Sequence, residues 1–305
     1  MQAKLRRATN TAAWSAIAIA ALSSVTALTV RDAWIPTAMV FFGIPWLARL
    51  ILLAAALLTL RPRGLKTRML CAAIAAHSLI QAGQSFHWQE AAKTPAAGFD
   101  VTLWNTGRNL WKMPREWPRL AGPDTKLVVM IEAGTFRGDT WKQFTSTHPD
   151  FTWRQLDGGI VVGVKGKLID VTPMGDRPRF RCHRICAEIN GAVHTICAVD
   201  IPSQPWLPRE PFLKRILDVS GGDRCMILGD FNTPPTARGF DSWRNKFSLA
   251  NESQTRGFGE TWCYGMPLLE LDQLWLGKDL QCTGVTQTAT LRSDHVRMSF
   301  RIGPR

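Results

Sequence analysis

The sequence predicts an α/β domain that follows an N-terminal membrane anchor, and three observations support this prediction. The first third of the chain concentrates its apolar residues in long runs. The remainder alternates short apolar segments with polar residues that directly follow them. One of these segments, CMILGDFNTPP at 225–235, joins an apolar run to an acid and an amide. The length of 305 residues is sufficient for one large α/β domain and an additional segment.

The apolar run at 226–228 predicts a buried strand that ends sharply, because Gly229 and two prolines at 234–235 follow it. Asp230 and Asn232 lie two residues apart, so they face the same side if the strand geometry continues. A carboxylate and a carboxamide at the end of a rigid strand can hold a metal ion or a water molecule against a phosphate. The alternative interpretation is a polar β-turn, since both residue types are common in turns.

The N-terminal third is typical of a membrane anchor. Residues 11–30 are almost wholly apolar and follow a basic start, a pattern shared with secretory signal peptides. A second apolar stretch, at 33–60, exceeds the roughly 20 residues that cross a bilayer. Arg49 interrupts this stretch, and its side chain either reaches the interface, pairs inside a helical bundle or marks a break in the span. A third apolar stretch, at 69–86, is weakened by a histidine and two glutamines.

The placement of basic residues predicts the topology. The basic start and the basic loop at 61–68 are both expected in the cytoplasm. With three spans, the rest of the chain is extracytoplasmic, whereas it is cytoplasmic if the third stretch does not span. We favour three spans, and hence a multi-pass protein of the inner or plasma membrane that contacts the lipid bilayer through its N-terminal helices. The predicted organisation is an anchor at 1–88, a small polar linker at 89–98 and a soluble domain at 99–305.

Polar side chains recur at the ends of the predicted strands in the soluble domain. Glu132 follows the apolar run KLVVMI, where a carboxylate is costly unless it is paired or binds a cation, so it is the best single candidate for a hard-metal ligand. A hairpin is predicted around Asn190-Gly191, with strands at 181–189 and 192–199. The whole set of strand-end residues suggests one shared cleft. Its members are Asn105, Glu132, Asp200, Asp230, Asn232, Asp272, Asp294 and His295.

The ordered segments LWN, IEAG, GDFNTPP, LDQLW and SDH resemble those of the endonuclease/exonuclease/phosphatase superfamily, which has the DNase I-like fold. The resemblance covers 99–305, nearly the whole soluble part. It implies a four-layer α/β sandwich, in which two β-sheets lie face to face with helices outside. It also implies a catalytic domain that hydrolyses phosphate esters with Mg²⁺ or Mn²⁺.

The resemblance assigns three residues to the metal. Asn105 and Glu132 resemble the first metal-site pair of the family, with Glu132 as the main ligand. Asp294 resembles a further carboxylate on the metal side. These residue types suit the proposed ion, because Mg²⁺ prefers oxygen donors.

The resemblance assigns four further residues to the reaction. Asp230 resembles the residue that orients or deprotonates the attacking water, and Asn232 the residue that holds this water and a phosphate oxygen. His295 resembles the histidine that contacts the phosphate, and Asp272 its carboxylate partner. A carboxylate beside a histidine raises the pKa of the imidazole and fixes the orientation of its ring.

Asp200 departs from the family pattern, which usually has His or Tyr at the end of this strand in contact with the phosphate. A carboxylate there would repel a phosphate unless it binds metal, or unless Arg209 or another basic residue compensates for it. Arg108 and Arg292 lie beside motif residues and are further candidates for phosphate contact, although a solvated charge is the simpler interpretation of each.

Three functional hypotheses remain open at this stage. The formal net charge of +13 favours an anionic partner. The preferred hypothesis is a nuclease-like phosphodiesterase that uses metal-assisted in-line attack of water. The second is a phosphodiesterase of phospholipid or sphingolipid head groups, which the anchor favours by proximity. The third is a non-catalytic binding or scaffold protein that retains the fold, for which Asp200 is the best support. No protein partner can be inferred.

Overall fold

A computed structural model describes residues 1–60, 64–89, 98–175 and 180–305. The first part of the basic loop at 61–68 and most of the linker at 89–98 therefore lie outside the described residues. Contacts between Cα atoms divide the chain into two compact units. The first unit comprises Met1–Phe86 with Gln204–Pro208, and the second comprises His87–Ser203 with Arg209–Arg305.

The first unit is helical. Its helices are α1 (Gln2–Leu28), α2 (Ile35–Gly43), α3 (Trp46–Leu60) and α4 (Leu65–Ser85). Among the helices of the described residues, α1 alone is long and apolar enough by itself to cross a membrane. Helices α2 and α3 meet this criterion only together, and they are bent by 74° at the break between them. The break lies at Pro45, which lacks a backbone N–H and disfavours a helical residue before it.

Helix α4 contains the third apolar stretch of the sequence, but it is not apolar enough to count as a span. The described helices therefore do not support three spans, nor the extracytoplasmic orientation that depended on the third. The polar residues of α4 have a different role. Arg49 is buried and contacts Nδ1 of His77 at 3.0 Å, donates to Gln81 and donates to Ser24 Oγ at 3.3 Å. Arg49 thus pairs inside the bundle, which was one of the three alternatives.

The second unit contains most of the strands and two α-helices. In chain order the strands are β1 (Phe86–Trp88), β2 (Phe99–Asn105), β3 (Thr125–Ile131), β4 (Thr152–Gln155), β5 (Val161–Val164), β6 (Lys167–Pro173), β7 (Arg181–Ile189), β8 (Ala192–Asp200), β9 (Cys225–Asp230), β10 (Ser248–Leu249), β11 (Arg256–Phe258), β12 (Asp272–Leu276), β13 (Leu280–Thr288) and β14 (Arg297–Pro304). The helices are α5 (Gly138–Ser146) and α6 (Glu210–Val219). Strands β1 and β11 form a small sheet of their own.

The described strands form two six-stranded sheets. The first sheet has the order β13-β14-β2-β3-β5-β4, and the second has the order β10-β12-β9-β8-β7-β6. Both are mixed, because β2 is parallel to β3 and β8 is parallel to β9, whereas the other neighbours are antiparallel.

The core follows the two-residue period of the strands. In β3, Val129 belongs to the cluster shared with Leu228 of the second sheet, whereas its neighbour Val128 packs with Phe144 of α5. At the other sheet, Ser220 at the end of α6 donates to Cys197 in β8. The predicted fold class, two sheets flanked by helices in a DNase I-like α/β sandwich, is confirmed.

Strand register aligns three carboxylates. Asp230 is the Cα partner of Asp200 across the β8–β9 pair and of Asp272 across the β9–β12 pair. Side chains of directly paired residues project to the same face of a sheet. Gly229 permits this close pairing, because a Cβ at that position would overlap the carbonyl oxygen of Val199.

Replacement of Gly229 by alanine should therefore destabilise the second sheet. We expect Gly229→Ala to lower the free energy of unfolding by roughly 2–4 kcal/mol, because the added methyl group separates β8 from β9. Urea denaturation followed by tryptophan fluorescence measures the change. The matched control is Gly221→Ala, where a built Cβ meets no atom within 4 Å, and it should unfold at nearly the wild-type urea concentration. Equal midpoints for the two variants would contradict this role of Gly229.

Candidate functional site

The site lies where the ends of strands from both sheets meet. Asn105, the last residue of β2, donates from Nδ2 to Oδ2 of Asp230 in the second sheet at 2.8 Å. The hydroxyl of Ser293 donates to the main-chain oxygen of Asn105 at 2.7 Å. Both Asn105 and Asp230 are buried. A short hydrogen bond between buried groups therefore links the edges of the two sheets at this point.

Asp272 and His295 form the most deeply buried ion pair of the site. Nδ1 of His295 lies 2.7 Å from Oδ2 of Asp272, and Nε2 lies 3.9 Å from Oδ2 of Asp230. Asp272 is 0% exposed and His295 is 7% exposed. The bond to Asp272 makes Nδ1 the protonated donor, so Nε2 is the nitrogen directed toward Asp230.

The neighbouring charges keep His295 protonated. Burial lowers the pKa of His295, but the charge of Asp272, the hydrogen bond to it and the charges of Asp230 and Asp294 outweigh burial and raise the pKa to about 10. The imidazolium is thus the cation that offsets the adjacent carboxylates. This is the pairing of His295 with Asp272 that the family resemblance implied.

Asp230 is held from two sides. Its Oδ1 accepts from the backbone N–H of Asn232 at 2.8 Å, while Oδ2 accepts from Asn105. Burial raises the pKa of Asp230 well above its usual range, against the charge of His295, and the charges of Asp272 and Asp200 raise it further. A carboxylate in this environment binds a proton more readily than one in water.

Asn232 directs its carboxamide away from Asp230. Its Nδ2 donates to the main-chain oxygen of Ile201 at 2.8 Å, and its own main-chain oxygen accepts from Arg209 at 3.4 Å. Arg209 therefore contacts the turn that contains Asn232. Asn232 has a positive φ of 46°, so the chain turns immediately after β9.

Glu132 stands on the turn that follows β3. Its backbone has a positive φ of 50°, and its main-chain oxygen accepts from the Arg108 amide at 2.5 Å and from the Thr106 hydroxyl at 2.9 Å. Oε1 lies 3.3 Å from Nη2 of Arg108, whose side chain is exposed. Arg108 thus borders the site, paired with the carboxylate of Glu132.

Asp294 lies across the turn that follows Asn105. Its Oδ2 accepts from Nε1 of Trp262 at 2.9 Å. Its Oδ1 lies 3.6 Å from the position of a Cβ built on Gly107, and the Gly107 amide donates to Oδ1 of Asn105 at 3.1 Å. The 105–108 turn is therefore bordered by Asn105, Glu132 and Asp294, the residues assigned to the metal. Arg292 is exposed nearby, and no described residue pairs with its side chain.

Asp200 is paired with a residue that sequence reasoning missed. Its Oδ2 accepts from Nη1 of Arg181 at 2.6 Å. Burial raises the pKa of Asp200 to about 6, although Arg181 opposes the shift. A signal for this pair existed in the hairpin around Asn190-Gly191, because counting outward from that turn places residue 181 opposite residue 200, as observed. Trp262 was also missed, and no motif in the sequence indicated its bond to Asp294.

The fold is that of endonuclease/exonuclease/phosphatase proteins. It is similar to a family protein from Bacteroides thetaiotaomicron, with 10% identity and a TM-score of 0.51 over 67% of this chain and 97% of that chain. It is also similar to D. rerio TDP2 complexed with a single-strand DNA product, with 11% identity and a TM-score of 0.52 over 68% and 99% of the two chains. An AP endonuclease from Archaeoglobus fulgidus matches with 13% identity and a TM-score of 0.51 over 66% and 98%. No family model and no curated protein matches the sequence.

The His295 pair should make stability depend on pH. A raised pKa means that the folded state holds a proton that the unfolded state loses above about pH 6.5, so this contribution is complete below pH 6.5 and is lost as pH rises to about 10. We expect the free energy of unfolding, measured in EDTA, to fall by roughly 2–4 kcal/mol over this interval. His295→Gln should flatten the slope.

The control is His148→Gln, which alters a ring that contacts the Trp117 main-chain oxygen instead. This variant should keep the wild-type slope. A His295→Gln protein with the same slope as wild type would show that another group causes the pH dependence.

Proposed function

We propose that this chain is a divalent-metal-dependent phosphoesterase that hydrolyses a phosphodiester by in-line attack of water, and that its N-terminal helices anchor it to a membrane. The observation that carries the proposal is the meeting of Asn105, Asp230, Asp272 and His295 in one buried cluster. These residues come from distant segments of the sequence, and the fold is shared with proteins that include a nuclease.

The residues around the 105–108 turn suit a hard cation. Glu132 and Asp294 supply carboxylate oxygens, and Asn105 supplies an amide oxygen. Glu132 is mostly shielded from solvent, with 24% of its side chain exposed, and the cation beside it is an Arg108 side chain that is 75% exposed. We assign Mg²⁺ or Mn²⁺ to these three residues, because both ions prefer oxygen donors. When bound, such an ion polarises a phosphate oxygen and offsets charge that develops on it.

The remaining residues supply proton transfer and orientation. Asp230 lies in an environment that raises its pKa, so its carboxylate can accept a proton from an attacking water or hold that water in line. The imidazolium of His295 can donate from Nε2 to a phosphate oxygen as negative charge grows there. Asp272 keeps that ring oriented through Nδ1. Asn232 holds Asp230 in place, because its backbone N–H donates to Oδ1 of Asp230 at 2.8 Å.

Nucleic acid is the preferred substrate class. The net charge of +13 favours a polyanion, and one structure with this fold holds a DNA product. A lipid head group is the second candidate, since the apolar helix α1 would bring the domain to a bilayer surface.

The first test is phosphodiester hydrolysis by the full-length protein in mild detergent. We offer single-stranded DNA, RNA and vesicles of phosphatidylcholine with sphingomyelin, each in EDTA and after addition of Mg²⁺ or Mn²⁺. We expect turnover that requires the added ion, with DNA or RNA cleaved faster than lipid. Asp230→Asn should reduce the rate by roughly 10²- to 10⁴-fold, because the water loses its acceptor.

Asp218→Asn, on helix α6 and away from the site, is the matched control and should retain the wild-type rate. Faster cleavage of lipid than of either nucleic acid would select the second candidate. Equal, negligible turnover by wild type and Asp230→Asn on all three substrates would reject the enzyme and favour a scaffold.

Membrane attachment rests on the outward surface of α1. Its most apolar window is only 33% buried, whereas a core helix of a soluble protein is mostly buried. The exposed apolar residues include Ile19, Leu22 and Val25. An apolar surface of this kind on a long helix marks a site of contact with a membrane or a protein.

Two lysines on this surface should release the protein. We expect wild type to stay in the pellet after alkaline carbonate extraction of membranes, and the double variant Ile19→Lys/Leu22→Lys to move largely to the supernatant. The control carries Ile169→Lys and Val193→Lys, at similarly exposed apolar positions of the second unit, and should stay in the pellet. Wild type found in the supernatant would exclude an anchor.

A further inference from the structure

Asp200 creates a charge problem at the proposed site. It is buried beside Asp230, and its side chain is 7% exposed. A phosphate that approaches Asp230 and His295 therefore meets a further carboxylate in the adjoining strand. Arg181 offsets this charge, since its Nη1 lies 2.6 Å from Oδ2 of Asp200.

Gly158 leaves the space through which Arg181 reaches this position, and Gly159 packs against the turn at Glu132. Gly158 and Gly159 both have positive φ, and the Gly159 main-chain oxygen accepts from the Ala133 amide at 2.6 Å. A Cβ on Gly159 would lie 3.7 Å from Cα of Glu132. A Cβ on Gly158 would overlap the side-chain carbons of Arg181. The stem of Arg181 therefore crosses Gly158, one residue from the turn that packs against Glu132.

The guanidinium is anchored but not enclosed. The side chain of Arg181 is 33% exposed, in contrast to its buried partner. It borders a cavity of about 290 Å³ whose lining includes Gly158, Phe180 and His183. A guanidinium has five N–H donors in a planar fork that fits phosphate, and the bond to Asp200 uses one of them, on Nη1.

We propose that Arg181 is a substrate-binding residue that contacts the phosphate of the substrate, and that the adjoining cavity receives the group attached on that side. Asp200 is a positioning residue that holds the guanidinium, and Gly158 leaves space for its stem. This inference rests on the proposed function for the identity of the ligand as a phosphate ester. The ion pair of Arg181 with Asp200 then has two roles, because Arg181 both neutralises the charge of Asp200 and contacts the charge of the substrate.

The test measures binding of inorganic phosphate to the full-length protein by isothermal titration calorimetry. The double variant Arg181→Gln/Asp200→Asn removes the cation without leaving an unpaired buried carboxylate. We expect its Kd for phosphate to rise about tenfold, because a charge-assisted contact is lost. Its KM for a cleaved phosphodiester should rise similarly, with a smaller change in kcat. The single variant Arg181→Lys keeps the charge but not the planar fork, so its affinity for phosphate should lie between those of the wild type and the double variant.

The matched control is Arg301→Gln/Asp100→Asn. Arg301 is also half-buried, and its Nη1 lies 3.2 Å from Oδ1 of Asp100. Asp100 lies at the opposite end of β2 from Asn105. This variant should bind phosphate as wild type does. Gly158→Ala should weaken phosphate binding as the Arg181 variant does, and a thermal melt of each protein shows whether it is folded.

The two proposals fail in different ways. If the wild-type protein binds phosphate through Arg181 but cleaves no phosphodiester, the proposed hydrolase activity is rejected and the binding role of Arg181 stands. If the wild-type protein cleaves a phosphodiester and the folded double variant has the same Kd and KM, the binding role of Arg181 is overturned and the proposed hydrolase activity stands. Wild type that binds no phosphate at millimolar concentration would also overturn the role of Arg181.

Discussion

Three carboxylates stand side by side at the end of the second sheet, and their mutual repulsion must be offset for the strands to pair. Asp200, Asp230 and Asp272 are aligned by the backbone register of β8, β9 and β12. Each has a different polar partner, namely Arg181, Asn105 and His295. Because buried carboxylates are costly without such partners, the arrangement of the surrounding turns follows from the need to bring these donors to the row. The same arrangement makes the row chemically useful.

Local sequence patterns indicated the strand ends but not the pairing between strands. The apolar runs before Glu132 and Asp230 are readable because burial on both faces removes polar residues from β3 and β9. The parallel pairing of β2 with β3 and the bond from Asn105 to Asp230 join distant segments, so no local period predicts them. The family resemblance placed Asn105 and Asp230 in one site, but it predicted neither their hydrogen bond nor the pairing of β2 with β3. It did not supply Arg181, since the family pattern has no acid at position 200 that requires a basic partner.

In the N-terminal unit, the apolar composition of the sequence did not predict the helices correctly. Residues 33–60 form one apolar stretch in sequence, yet Pro45 divides the stretch into two helices at a sharp angle. The polar residues of α4 lowered its hydropathy, and the structure shows that two of them contact Arg49. A hydropathy sum counts residues one at a time. It therefore cannot distinguish a weak span from a helix whose polar face serves a buried arginine in a neighbouring helix.

The bond between Asn105 and Asp230 also has a consequence for how the molecule assembles. It closes a loop of 125 residues, and the bond from Ser293 to Asn105 closes one of 188. Contacts with such wide separation form late, since the entropy of closing long loops must be overcome before they contribute any stability. Either sheet can gain its own ladders while the cleft is still unformed. Recovery of ligand binding during refolding would thus report the docking of the two sheets, an event that circular dichroism of the separate ladders does not detect.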